Sequence, residues 1–351
     1  MRTARRTWVL LLSAALAAGP APRALAFTNN TAGSAAEFLR LGAGARALGM
    51  GEAFGPVAEG ADGLYWNPGA LAWLKRPEIS YTHVEMLRFF HHDHISYAHP
   101  FGQRGGTVGA SATFFYQDKL DLVDNAGQEV GKFGIHSEAF TLAYARVFSI
   151  GEDYAKDDQE YFQQLWYHPG AIRPLSRPMD IWAGNMATGL AVKYVGETIH
   201  DRRAQTIAVD GGISYFPTQL PALRMSFVFR NVGGRLRFIR ESENLPSEVA
   251  LGVAYDVRWA DSRFVPALEA SVPYYGDPSG KLGLEYSFRS WEEGTVAFRA
   301  GYKSLSVPDL GALSGLTGGI GVTHREWSFD LGFQPMAELG QVYRMTMGRR
   351  F

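Results

Sequence analysis

The 351-residue sequence contains no cysteine, which excludes both a disulfide framework and a thiolate metal site. It also lacks a charge surplus, with 34 Lys and Arg against 35 Asp and Glu. No basic excess points to nucleic acid, and no nucleic-acid partner is expected. Beyond the first residues no apolar run approaches the ~20 that a transmembrane helix needs, and mean hydropathy is −0.12. What remains is a soluble fold or a membrane barrel, because transmembrane strands carry a much weaker hydropathy signal than helices do.

The chain opens with Arg2, Arg5 and Arg6, then an apolar run from Trp8 to Ala18, then Ala24-Leu25-Ala26. A basic start, a short apolar run and an A-x-A site predict a secretory signal peptide over residues 1–26, too short to span a bilayer. The protein is therefore expected to be exported.

From Gly42 to Leu74 the sequence is glycine-dense without being polar, with Gly49, Gly51, Gly60 and Gly69 set among Ala, Leu, Met, Phe and Trp. Small residues mixed with large apolar ones suit tightly packed backbone rather than a solvated linker. Residues 27–76 are read as a plug. Asn67-Pro68-Gly69 predicts a type II turn, with Pro second and Gly third. Gly42 to Ala47 also matches G-x-G-x-x-A. That fingerprint needs a buried strand before it and a βαβ unit around it, and the preceding Glu37 and Arg40 deny the first.

After residue 77 the pattern changes to period two. Leu282, Leu284, Tyr286 and Phe288 alternate with Gly283, Glu285, Ser287 and Arg289, and Trp327, Phe329, Leu331 and Phe333 alternate with Ser328, Asp330 and Gln334. Fourteen such stretches are centred on 79–84, 95–99, 107–116, 139–148, 186–197, 206–216, 223–231, 248–257, 264–272, 282–289, 295–303, 317–324, 327–334 and 342–351. The fold class expected is an all-β transmembrane antiparallel β-barrel of about 14 strands spanning residues 77–351, with the N-terminal plug in its lumen. In lipid the sheet has to close, since unpaired edge groups cost several kcal/mol each, and a barrel of this size has a lumen that wall side chains alone do not fill. Phe298 should face lipid and Arg299 the lumen, so that Arg299→Leu would be mild.

If the N-terminus and plug are periplasmic, connections after odd strands lie outside, among them 86–94, 117–137 and 232–247. One inner connection, at about 149–181, breaks the rule that periplasmic turns are short. Its Asp157-Asp158 before Tyr161, Phe162, Leu165 and Trp166 suits a capped amphipathic helix.

Chemistry-bearing clusters are few. Phe89-Phe90-His91-His92-Asp93-His94 has metal-ligand residue types, with His92 and His94 on one face if extended, but a metal needs three or four converging ligands with a second shell. No metal, cofactor or catalytic residue is assigned, and no nucleophile or acid-base pair stands in register. At the C-terminus Tyr343, Met345 and Met347 share a face with Phe351. Tyr343 and Phe351 are read as a barrel C-terminal signal, with Arg349 near the interface where its stem can snorkel.

The run from Gly44 through Gly49-Met50-Gly51-Glu52-Ala53-Phe54 to Leu64-Tyr65-Trp66-Asn67-Pro68 resembles the N-terminal signature of the PorV/PorQ outer-membrane proteins, relatives of the FadL-type transporters of hydrophobic compounds. Arg230-Asn231-Val232-Gly233 and Leu251-Gly252-Val253-Ala254-Tyr255 carry the resemblance further. It implies a fourteen-stranded barrel with an N-terminal hatch in the outer membrane of a diderm bacterium. Gly69 stands where the family usually has Ala, which would keep the turn and loosen the hatch. The implied function is non-enzymatic docking or shuttling of exported proteins in type IX-like secretion, with cargo or secretion components as partners. The alternative is FadL-like transport of hydrophobic small molecules, suggested also by small lumen-facing residues such as Gly109, Ser111 and Gly283. Outer-membrane lipid is a partner in either case.

Overall fold

The computed structural model describes residues 34–86, 89–123, 128–150, 184–238, 241–305 and 307–351. The expected signal peptide, residues 1–26, and all but the first two residues of the 149–181 connection lie outside these.

Fourteen strands form the wall: β1 (Glu78–Met86), β2 (Phe90–Pro100), β3 (Thr107–Gln117), β4 (Ile135–Ile150), β5 (Gly184–Ile199), β6 (Arg202–Pro217), β7 (Leu223–Gly233), β8 (Glu248–Tyr255), β9 (Ser262–Pro273), β10 (Ser279–Trp291), β11 (Gly294–Lys303), β12 (Leu316–His324), β13 (Trp327–Pro335) and β14 (Gln341–Arg350). Each pairs antiparallel with its neighbours in sequence, and β1 closes on β14 from Glu78↔Arg350 to Met86↔Val342. The sheet is a closed barrel with no free edge. The bond from the Phe351 amide to Pro77 O, 2.9 Å, continues that seam by one residue.

Alternation sets the two faces. Leu142, Leu190, Ile207, Leu251, Leu268, Phe298, Ile320, Phe329 and Met345 point outward and are each at least 50% exposed, an apolar belt that only lipid can cover without cost. Their neighbours Thr141, Lys193, Glu269, Glu285, Arg299 and Arg344 point inward. An even-stranded closed barrel with this belt is the architecture of bacterial outer membranes, and the protein is an outer-membrane barrel. Among the described residues no helix is long and apolar enough to cross a membrane. Arg349 lies 5.0 Å from both the Trp327 and Phe351 rings, so its charge is covered by the aromatic rim.

One expectation about connections is corrected. The stretch 86–94 is not a loop: β2 begins at Phe90, so His91 to His94 are strand residues. The connections 118–134 and 234–247 each carry a hairpin of their own, Leu120–Val123 with Glu129–Phe133 and Arg235–Phe238 with Glu241–Asn244. They stand at the end opposite the tight turns at 292–293 and 325–326, which marks it as the outer end.

Residues 34–77, the described part of the chain before β1, contact the inward face of the wall all the way round. They form short helical turns, Glu37–Arg40, Ala45–Gly49, Gly55–Val57, Gly63–Trp66 and Pro68–Trp73. The described part begins at the outer end, whereas the loop assignment takes the N-terminus and plug to be periplasmic. The Ala35 amide bonds to Asn244 O at 3.0 Å, and Arg40 Nη2 to Tyr275 O at 2.9 Å. Both partners belong to outer connections. The segment thus descends the lumen from the outer end and joins β1 at the inner one.

Candidate functional site in the barrel lumen

Three cross-strand glycine pairs seat this inner segment. Gly189 and Gly212 are direct partners across β5 and β6. A Cβ on Gly212 would lie 2.0 Å from Asn67 Oδ1, and one on Gly189 2.5 Å from Pro68 C. Gly283 and Gly301 pair across β10 and β11, where a Cβ on Gly301 would lie 2.0 Å from the Gly51 nitrogen. Gly319 and Gly332 pair across β12 and β13 beneath Gly49, Ala45 and Leu48. Missing side chains on the wall let backbone approach backbone.

The five residues singled out in the sequence all fall at these seats. Gly49 approaches Gly319 Cα, and Gly51, at φ 61°, lies against Leu282 O and Tyr302 N. Asn67, fully buried, accepts from the Gly69 amide at 3.0 Å and donates from Nδ2 to Ser214 Oγ at 2.9 Å and Gly55 O at 3.2 Å. The expected type II turn is absent: Gly69 does not take positive φ, and Pro68 opens a 3-10 helix that Asn67 caps. Glycine is needed at 69 for proximity. A Cβ there would meet Gly212 O at 2.6 Å, so glycine in place of alanine tightens the seat where loosening was expected. Gly109 and Gly283 are likewise filled by the segment, against Leu71 and Leu64 in one case and Met50 in the other.

Ion pairs across the lumen were not foreseen. Arg46 donates to both Glu285 oxygens, Nε at 2.7 Å and Nη2 at 2.8 Å, and also pairs with Glu59 at 3.1 Å. Glu59 in turn meets Arg224 at 2.7 Å and Arg263 at 3.4 Å. Burial pushes its carboxyl up, but Arg263, Arg46 and Arg224 outweigh this and hold it well below the usual range. Glu52 sits between Lys303, 3.2 Å, and Arg344, 3.3 Å. On the wall, Glu269 accepts from the Gly55 amide at 2.7 Å, and Arg230 donates to Trp66 O at 2.9 Å. The available signal was charge itself: Arg46, Glu52, Glu59 and Asp62 interrupt an otherwise apolar stretch. Such buried charges need partners, but their partners lie up to 292 positions away.

Asp62 is different: among the described residues it forms no salt bridge. Burial raises its carboxyl to about 6, against opposing hydrogen bonds from Ser80 and Ser96 and with help from nearby Glu78. At the inner end a cavity of about 780 Å³ opens between Trp73, Lys75, Glu59, Glu78, Arg325 and Arg350. Among the described residues no group of three or more His, Asp or Glu could hold a metal. The pseudo-fingerprint at Gly42 to Ala47 is occupied by protein, with Trp66 Nε1 donating to Ala43 O at 2.7 Å and Arg344 to Gly44 O at 3.3 Å.

Comparison with known proteins follows the same lines. Residues 14–151 match a family described as "Uncharacterised protein family (UPF0164)". No curated protein matches the sequence. The fold is similar to the toluene transporter TbuX of Ralstonia pickettii, at 10% identity over 88% of this chain and 98% of that one, TM-score 0.54. It is similar also to the Pseudomonas putida toluene transporter TodX, at 10% identity over 88% and 96%, TM-score 0.52. A third likeness is to a Pseudomonas aeruginosa FadL homologue, at 8% identity over 88% and 98%, TM-score 0.50. At such identities the likeness establishes a shared fold, that of FadL-type barrels.

Proposed function

We propose that the protein carries hydrophobic small molecules across the outer membrane, with residues 27–76 acting as a plug that keeps the lumen closed to water-soluble solutes. The carrying observation is the inner segment seated on three glycine pairs and bound by ion pairs around the wall. An open diffusion pore keeps a water-filled channel, whereas here backbone touches backbone across the lumen. Likeness to barrels described as toluene transporters supports the substrate class. The test is a titration of detergent-purified protein with toluene and with a sugar of similar size, followed by tryptophan fluorescence. Saturable binding of toluene alone is expected; binding of neither, or of the sugar, contradicts the reading.

A second reading is docking or shuttling of exported proteins, as the PorV/PorQ resemblance implies. The outer hairpin favours it, since Leu120, Leu122 and Val130 are 39%, 39% and 58% exposed beyond the lipid belt. Deleting residues 120–133 separates the two readings. Protein export would fall with toluene binding intact under the second, and would be unchanged under the first.

A further inference from the structure

Along β2 the outward residues are, from the outer end, His91, Asp93, Ile95, Tyr97 and His99, and along β1 they are Glu85, His83, Tyr81 and Ile79. Each strand thus offers lipid two apolar positions, about four residues of wall. At about 3.3 Å per residue and a tilt near 40° these cover on the order of 10 Å, against the ~25 Å tall apolar band of such barrels. The next strand shows the full height, since Val108, Ala110, Ala112, Phe114 and Tyr116 on β3 face outward in succession without a charge. The apolar belt is therefore notched at β1 and β2, and polar groups fill the notch.

These groups form one network across three strands. Asp93 accepts from Tyr81 OH at 2.7 Å, from His83 Nδ1 at 2.8 Å and from Tyr116 OH at 3.1 Å. The His91 ring stacks between those of His83 and Tyr116, at 6.2 and 5.1 Å. The network is reachable from outside, with the His83 and Asp93 side chains 36% and 19% exposed and Glu85 exposed beside them. Ionisable groups on a membrane-embedded surface persist where they face other polar groups and not acyl chains. Register shows what could face these: His83 lies opposite Asp93, and Glu85 lies opposite His91. Each row holds an acid on one strand and a base on the other, so the face is its own complement under a half-turn about an axis between β1 and β2. Two barrels in one membrane share their orientation, so a two-fold axis relating them runs along the membrane normal, as this pattern requires.

We propose that the outward face of β1 and β2 is the contact surface between two copies of this chain in the outer membrane. His83 of one copy meets Asp93 of the second, Glu85 meets His91 of the second, and Tyr81 and Ile95 pack beneath these pairs. Pairing covers the notch and leaves lipid the parts of the wall whose apolar band has full height. Each barrel keeps its own lumen and inner segment, so the proposal goes beyond the transport reading and does not depend on it.

The chain has no cysteine, so single introduced cysteines report contacts without background. I95C places one on the proposed face, and L251C places one on a different flank, at an outward position of β8 that is 60% exposed. Outer membranes isolated from cells producing the full chain are oxidised with copper phenanthroline, run on non-reducing gels, and the bands identified by mass spectrometry. I95C should give a band at twice the chain's mass that contains this chain alone, at least tenfold stronger than that of L251C. Adding E85K should weaken the band at least fivefold, and E85K/H91E/I95C, which exchanges the two charges, should restore most of it. An unchanged heat-induced gel shift in each variant separates loss of contact from loss of folding. Absence of the band in I95C, equal bands from I95C and L251C, or a band undiminished by E85K in a barrel that shifts normally overturns the proposal. So does a band joining I95C to a different protein, which would make the notch the docking face of that partner.

Discussion

Gly189 and Gly212 face each other across β5 and β6, and the turn Asn67-Pro68-Gly69 lies in the slot their missing side chains leave. Replacing Gly212 by Val puts a Cβ 2.0 Å from Asn67 Oδ1, closer than any relaxation of wall or turn allows. The barrel should still close, since the outward face is untouched, but the segment should lift. Protease cleavage between residues 35 and 74 in intact proteoliposomes should rise several-fold over wild type. Gly280→Ala is the control, as nothing lies within 4 Å of its Cβ position. Equal protection of all three proteins would show that the seat does not hold the segment.

Phe298 and Arg299 test the facing of β11. Phe298→Arg places a charge on the lipid belt near mid-strand, at a cost of about 2–4 kcal/mol. Arg299→Leu was expected from sequence to be mild because it faces the lumen. It does face the lumen, but it bonds Glu285 at 2.7 Å and Asp330 at 2.6 Å; Glu285 keeps Arg46, whereas stranding the Asp330 carboxylate costs up to about 3–5 kcal/mol. Both variants should therefore lower the temperature of the gel-band shift, and Arg299→Leu should be partly rescued by adding Asp330→Asn. A wild-type midpoint for Arg299→Leu would mean that the network is not formed.

This pair also shows what was legible in the sequence. Strand number, facing and the apolar belt follow from period two, which is a local property, so each of the fourteen expected centres falls within an observed strand. Gly49, Gly51 and Asn67 to Gly69 stood out because glycine beside Trp, Met and Leu is itself unusual. Partners were not legible: Arg46 and Glu285 are 239 positions apart, and only the closed register brings β10 under the segment. The type II reading of Asn67-Pro68-Gly69 failed because glycine served proximity to Gly212 and not positive φ, a distinction that no local pattern carries. His91 to His94 looked like a loop because polar residues alternate there with no apolar partner, whereas the barrel buries His92 and His94 inward.

Asp62 gives a pH dependence. Its folded value, about 6, lies above the usual 3.8, so the folded state binds more protons between these limits and stability falls as pH rises through that window. Asp62→Asn removes the penalty. The variant should match wild type below about pH 4 and exceed it above about pH 6, by on the order of 3 kcal/mol at most. Urea unfolding of detergent-solubilised protein at pH 4 and pH 8 checks the sign. A variant that is less stable than wild type at pH 8 would mean that the carboxylate has a partner cation.

Arg46→Gln addresses the ion pairs. It leaves Glu285 with Arg299 and Glu59 with Arg224 and Arg263, so the wall networks survive while the segment loses its bidentate anchor. Protease sensitivity of residues 35–74 should increase, with the gel-shift temperature of the barrel lowered far less than in Arg299→Leu. Equal loss in the two variants would make Arg46 part of the wall's stability and not of the segment's attachment.

The central claim is tested most directly by uptake. In cells whose outer membrane limits entry, the initial rate of radiolabelled toluene accumulation should rise several-fold when the protein is produced, while entry of a sugar of similar size stays at the background rate. Unchanged toluene entry at confirmed outer-membrane levels of the protein, or accelerated entry of the sugar, would contradict it.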